Sequence, residues 1–232
     1  EVGLGRREPV ADVARVLSGY VDCIIARVFS HADLAELGRC ATVPVINALS
    51  DWEHPCQVLA DLQTIAEFRG ELKGLRLAFI GDSNNVARSL CLVLPAVGMS
   101  FAMASPPGFD LDQASLILAR QRCEDGQAAV VSLTDPIEAV KGADVVYTDT
   151  WISMGQEAEA ARRRQAFQGY AVDPALLAKA KPDALFMHDM PAHYGEEVPP
   201  GMLDHPRSVA FVQAHNRLHA QKAVLEFILG GA

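Results

Sequence analysis

Asp144-Val145-Val146-Tyr147-Thr148-Asp149-Thr150-Trp151-Ile152-Ser153-Met154-Gly155 is the stretch on which the reading of this 232-residue chain turns. Its first five residues form a largely apolar run of strand length, the pattern of a buried parallel strand. The last seven put a carboxylate, a hydroxyl and a small-residue turn beyond the strand's carboxyl end, where open α/β sheets collect their ligands. Two readings fit. A strand-to-helix turn with a serine cap explains the pattern locally, and a grip for a charged amine explains it chemically. Residues 47–57 and the stretch around His188 favour the grip.

Working outward, apolar strand patterns alternate with helical ones along most of the chain. Strands are expected at residues 21–29, 43–46, 75–80, 98–105, 130–132, 144–148, 184–188 and 209–212, with an amphipathic helix over 216–229. The alternation predicts an α/β protein: two domains with mostly parallel sheets flanked by helices, the first domain truncated. A polar Gly70-Glu71-Leu72-Lys73-Gly74 hinge separates residues 1–69 from 75–213, and the helix over 214–232 is expected to rejoin the first part. Ser30-His31-Ala32-Asp33 reads as a capping box. Pro55 suits a first helical turn, where its missing N–H costs nothing. Arg162-Arg163-Arg164 reads as a solvated helix face.

Composition narrows the function classes. Half the residues are hydrophobic and the net charge is −9, the profile of a globular protein and one that argues against nucleic-acid binding as the main task. The five cysteines are scattered, with neither paired spacing nor a Cys/His cluster, which fits a reducing compartment and no structural zinc. No run approaches the roughly 18–20 apolar residues of a membrane span, and no signal-peptide pattern opens the sequence. A cytoplasmic protein is the expectation. Gly81-Asp82-Ser83-Asn84-Asn85 follows a strand but lacks the Gly-x-Gly-x-x-Gly fingerprint, so nucleotide binding is not expected.

Six features then occur in one order. They are Arg27 near a strand end, His54-Pro55-Cys56-Gln57, Gly81-Asp82-Ser83-Asn84-Asn85, the Asp-x-x-x-Ser-Met-Gly of residues 149–155, Phe186-Met187-His188-Asp189-Met190-Pro191-Ala192-His193, and His215-Asn216-Arg217 in the last helix. In this register the chain resembles the aspartate/ornithine carbamoyltransferase family from about residue 3 to residue 229, and the Ser-Met-Gly motif marks the ornithine branch. The resemblance implies transfer of a carbamoyl group from carbamoyl phosphate to the δ-amine of L-ornithine in arginine metabolism, giving citrulline and phosphate. It implies no cofactor and no metal, and a homotrimer with shared sites.

Carried over by position, Arg27, His54, Gln57 and Arg217 match the carbamoyl-phosphate contacts. A forked guanidinium suits phosphate, an imidazole can donate to a carbonyl oxygen as charge develops there, and an amide can hold the carbamoyl amide from both its ends. Taken singly, a histidine before proline is often only a helix start, and an arginine at a strand end a surface ion pair. Asn85, Asp149, Ser153 and Met154 match the ornithine contacts: Asn85 for the carboxylate, Asp149 and Ser153 for the α-ammonium, Met154 through its backbone.

Two departures stand out. The family's Ser-x-Arg-Thr-Arg phosphate loop has no counterpart in this sequence, so the expectation is a piece of a longer protein that is inactive alone. The family's His-Cys-Leu-Pro loop reads His188-Asp189-Met190-Pro191 here, which places a carboxylate beside the reacting amine. Asp189 would either hold that amine protonated or act as its base. It also motivates a rival reading, carbamoylation of a more cationic amine. A second rival, a non-catalytic amino-acid-binding or regulatory relative, follows from the absent phosphate loop.

Overall fold

The computed structural model describes residues 4–123, 126, 128–153 and 155–230. Helix α1 (Val10–Ser18) leads to β1 (Ile24–Arg27), α2 (His31–Cys40), β2 (Val45–Leu49) and α3 (Pro55–Arg69). After the Gly70–Gly74 hinge come β3 (Arg76–Ile80), α4 (Asn85–Val93), β4 (Ser100–Ala104), α5 (Gln113–Gln121), β5 (Val130–Leu133), α6 (Pro136–Val140) and β6 (Val145–Thr148). The chain continues through α7 (Ala160–Ala166), α8 (Pro174–Leu177) and β7 (Leu185–His188), and closes on α9 (Ala210–Leu229).

Every strand pairing is parallel, as the near-continuous apolar runs predict. Strands β1 and β2 form a two-stranded sheet with α1 and α2 on one face. The other five run β5-β4-β3-β6-β7, so chain order reverses between β3 and β6. Alternate residues serve opposite faces. Leu77 and Phe79 pack with α3, α4 and α5, while Ala78 and Ile80 pack with α6, α8 and the segment after β7. Side-chain caps start most helices: Ser30, Asn84, Asp112, Asp135 and Asp173 each accept a backbone N–H from the first turn.

The expected strand at 209–212 is instead the first turn of α9. Val209 N–H still donates to Phe186 O at 3.0 Å, so the chain touches the β7 edge before it coils. An apolar run of four is ambiguous between strand and helix, and the helical spacing that follows it wins. Helix α9 lies along α3, with Asn216 Nδ2 donating to Thr64 Oγ1 at 3.0 Å and to Glu67 Oε2 at 2.7 Å. The helix expected to carry Arg162-Arg163-Arg164 is α7, entered through a short 3-10 turn, Glu157–Glu159. Arg163 within it is buried rather than solvated.

Among the described residues, no helix is long and apolar enough to cross a membrane.

Candidate active site

The reversal between β3 and β6 opens a crevice at the strands' carboxyl ends, where such sheets bind ligands. Gly81 follows β3 with φ of +149°, a backbone conformation that residues with a side chain rarely adopt, so a glycine makes the turn out of the strand beside Asp149. Thr148 Oγ1 donates to Ile80 O at 2.7 Å and stitches the same ends together. The cleft, about 1110 Å³, lies between this edge and the β1–β2 unit.

Three bonds hold the two walls in register. His54 N–H donates to Ser89 Oγ at 2.7 Å, Asn85 Nδ2 to Ser50 O at 2.8 Å, and Arg88 Nη1 to Trp52 O at 3.1 Å. The Arg88 guanidinium also stacks 3.9 Å over the Trp52 ring.

Seven of the nine residues singled out from sequence line this one cleft: Arg27, His54, Asn85, Asp149, Ser153, Asp189 and Arg217. Met154 lies outside the described residues. Gln57 does not line the cleft. It is fully buried behind His54, its Nε2 donates to Asp61 Oδ1 at 2.9 Å, and its Oε1 has no hydrogen-bond partner. The two-ended grip expected of Gln57 therefore reduces to one available end, the acceptor.

His54 caps the N-terminus of α3 and is buried against two cations. Burial first, then Arg217 and Arg27, lower its pKa to about 4, so the imidazole is neutral at physiological pH. A neutral imidazole between two guanidinium groups can donate a hydrogen bond without adding charge of its own.

The opposite wall is acidic. Asp149 Oδ2 accepts from Asn84 Nδ2 at 2.6 Å and its Oδ1 from Thr150 N–H at 2.6 Å. Asp189 lies beside it, largely buried, with one carboxyl oxygen unpartnered. Burial and the neighbouring Asp149 push the Asp189 carboxyl well above the ordinary carboxylate range, so the pair resists carrying two charges.

Ligand atoms of Asp149, His188 and Asp189 fall within 4.8 Å of one another, a spacing that would suit a cation. The ring of His188 is already spoken for. Its Nδ1 accepts from Met190 N–H at 2.9 Å and its Nε2 faces Glu197 Oε1 at 3.3 Å, which fixes the Nε2–H tautomer. Two carboxylates alone make a poor donor set, so the residues do not fit a metal centre.

Two contributors escaped the sequence reading. Asn84 both caps α4, accepting from Val86 and Ala87 N–H, and anchors Asp149. The Asn-Asn pair was read for Asn85, although the capping rule alone points to the first of the two. Arg163 reaches Asp82 Oδ2 at 2.8 Å in a largely buried ion pair that lines the cleft. No local pattern marks that pairing, because its partners are 81 positions apart.

Comparison with known proteins identifies the family. Residues 1–67 match the family model described as aspartate/ornithine carbamoyltransferase, carbamoyl-P binding domain. Residues 73–228 match its companion, the Asp/Orn binding domain. The chain is 51% identical over 231 residues to an ornithine carbamoyltransferase of Thermococcus kodakarensis, covering 100% of this chain and 73% of that protein. It is 50% identical over 231 residues to an anabolic ornithine carbamoyltransferase of Pyrococcus furiosus, again covering 100% and 73%. The solved structure of ornithine carbamoyltransferase from Pyrococcus furiosus superposes with a TM-score of 0.94 at 51% identity, over 99% of this chain and 73% of that one.

Proposed function

The chain belongs to the aspartate/ornithine carbamoyltransferase family, and from that premise we propose that it is an ornithine carbamoyltransferase, moving the carbamoyl group of carbamoyl phosphate to the δ-amine of L-ornithine. The observation that carries the reading is the polarity of the single cleft: Arg27, Arg217 and a neutral His54 on one wall, Asp149 and Asp189 on the other. A dianionic donor suits the first wall, and a cationic amino acid suits the second.

In this reading residues 1–69 with the last helix hold the donor, and residues 75–213 hold the acceptor. Arg27 and Arg217 bind phosphate oxygens through forked, charge-assisted bonds. His54 donates to the carbonyl oxygen, a bond that strengthens as the tetrahedral oxyanion forms. Gln57 supplies its Oε1 to the carbamoyl N–H. Asp149 and Ser153 hold the α-ammonium, joined by the backbone of Met154. Asn85 receives the carboxylate once its amide exchanges the bond to Ser50 O. The δ-nitrogen forms its bond to the carbamoyl carbon, the C–O bond to phosphate breaks with its electron pair, and the departing phosphate accepts the amine's proton. Positioning and oxyanion stabilisation supply the catalysis, and no metal or cofactor enters.

Asp189 favours a second reading of the acceptor. A carboxyl beside Asp149 would bind an amine more cationic than ornithine equally well. A homotrimer and a cytoplasmic location complete the proposal; both rest on the family resemblance.

The test is citrulline formation from carbamoyl phosphate and L-ornithine by the protein as encoded, run beside a panel of diamines and modified ornithines. Citrulline as the preferred product supports the main reading. Preference for another amine selects the second, and binding without product for any amine overturns both. Light scattering on the same sample checks the trimer.

A further inference from the structure

One buried carboxylate gathers three elements, and a fourth through one of its partners. Asp61, one turn after Gln57 on α3, is fully buried. Its Oδ1 accepts from Gln57 Nε2 at 2.9 Å and from Gln213 Nε2 at 2.7 Å, and its Oδ2 from Tyr147 Oη at 3.2 Å. Tyr147 is in β6, two residues before Asp149. Gln213 is in α9, one turn before Arg217, and its Oε1 accepts His188 N–H at 2.9 Å. Every side chain in this set is buried, and none of them was singled out by the sequence reading except Gln57.

A carboxyl group so placed decides which end of the Gln57 amide points where. An amide has one donor end and one acceptor end, and a carboxylate oxygen can face only the donor. With Nε2 held by Asp61, Gln57 Oε1 is the end left over, and it is buried without a partner. A buried carbonyl oxygen in that condition is costly unless an N–H donor completes it. The acid Oδ1 accepts from Gln57 whether or not Oδ2 carries a proton, so the orientation survives a change of charge.

We propose that Asp61 is a positioning residue that holds the donor end of the Gln57 amide, so that only its acceptor end is left to meet a bound donor substrate, making the site selective for a ligand that presents an N–H. The proposal rests on the carbamoyl-phosphate reading and deepens it. A carbamoyl group carries such an N–H beside its carbonyl, whereas acetyl phosphate, of nearly the same shape, carries a methyl. Loss of Asp61 acts unevenly on the two substrates. Gln213 keeps its bonds to Tyr147 Oη at 2.8 Å and to His188 N–H, while Gln57 loses the one bond recorded for its side chain.

The experiment compares wild type, Asp61→Ala, Asp61→Asn, Gln57→Ala and the double Asp61→Ala/Gln57→Ala in the protein as encoded. The expected result is a KM for carbamoyl phosphate raised about tenfold in Asp61→Ala, with the ornithine KM within about twofold. The double variant should be no worse than Gln57→Ala alone, because Asp61 acts through Gln57. Asp61→Asn, which keeps an acceptor oxygen, should recover most of the loss, and acetyl phosphate should inhibit wild type less than it inhibits Asp61→Ala relative to carbamoyl phosphate. Equal changes in both KM values, or additive effects in the double variant, overturn the proposal. Should Asp61→Ala not fold, a crystal structure with carbamoyl phosphate decides: Gln57 still on Asp61 and its other amide end on the ligand supports the proposal, and any other pose overturns it. Failure of the parent reading looks different, since wild type itself would then make no citrulline.

Discussion

The two walls of the cleft solve opposite electrostatic problems with the same tool, burial. On the donor wall burial, with Arg217 and Arg27 adding to it, holds an imidazole neutral down to about pH 4. On the acceptor wall a buried carboxyl sits against a second one and is driven toward its protonated form. In each case burial disfavours the charged form and the wall's own charge of the same sign adds to it. On the proposed reading the contrast lets the cleft take a dianion on one wall and a cation on the other, while the central group of each wall stays ready to exchange a hydrogen bond.

The largest predicted break in that contrast comes from Asp149→Leu. It strips the acceptor wall of the carboxylate that Asn84 and Thr150 orient. A truncated, buried charge contact costs about 2–5 kcal/mol, so kcat/KM for ornithine should fall on the order of a thousandfold. Steady-state kinetics with carbamoyl phosphate varied should show little change in its KM. A comparable rise in both KM values would mean that the walls are not separate.

His54→Ala comes next. Removing a single oxyanion donor costs about a hundredfold in kcat, and because the residue is neutral its loss should leave the donor KM nearly unaltered. The sign of its pH behaviour follows from the lowered pKa. The folded protein binds fewer protons here than the unfolded chain between about pH 6.5 and about pH 4, so His54 contributes stability above that window that is lost as pH falls through it. Thermal unfolding of His54→Ala should therefore lose less stability than wild type on acidification from pH 7 to pH 4.

How much of this was legible beforehand follows the range of the interactions. Strands β3, β6 and β7 announce themselves as apolar runs, and Asp149 and Ser153 were legible because ligands collect past such strand ends, whereas Asn85 and Asp189 stood out through the resemblance to the family. Ser30 is visible as a cap because its partner, Asp33 N–H, is three residues away. Arg163 looked solvated because three consecutive arginines suggest exposure, and only the fold brings Asp82 under one of them. Asp61 carries no signal of its own in the sequence, because a partner that buries it, Gln213 of α9, comes more than 150 positions later. The start of α9 was misread for the converse reason, since Val209-Ala210-Phe211-Val212 carries a strand-like composition that only its continuation contradicts.

Asp189 sharpens the comparison at smaller amplitude. Its raised pKa means that the folded protein binds more protons than the unfolded chain, so this group contributes stability that is present below about pH 4 and lost as pH rises through the raised value. Asp189→Asn should consequently be more thermostable than wild type, by a margin that grows from pH 5 to pH 8. Asp189→Cys should turn ornithine over about tenfold faster at neutral pH, since a nearby carboxyl that ionises on substrate binding holds the δ-amine protonated, and one pKa unit is a factor of ten in free amine. Equal rates for wild type and Asp189→Cys across the pH range would remove Asp189 from the chemistry.

The smallest effect separates orientation from charge on the acceptor wall. Asn84→Ala leaves both carboxyls in place and deletes only the 2.6 Å bond that aims Asp149, together with the α4 cap. The lost cap should cost about 1 kcal/mol of stability, roughly 2–4 °C in Tm for a protein of this size. The lost bond should raise the ornithine KM about fivefold, less than the full value of a hydrogen bond to a charged group, because Thr150 N–H still fixes the other carboxylate oxygen. Asn84→Asp keeps the cap acceptor but sets a third carboxyl against the pair. It should preserve Tm at acidic pH, where the added group is protonated, and forfeit ornithine binding as pH rises. If Asn84→Ala and Asn84→Asp instead share one ornithine KM at every pH, position 84 acts only as a helix cap, and the aim of Asp149 is set by its own turn.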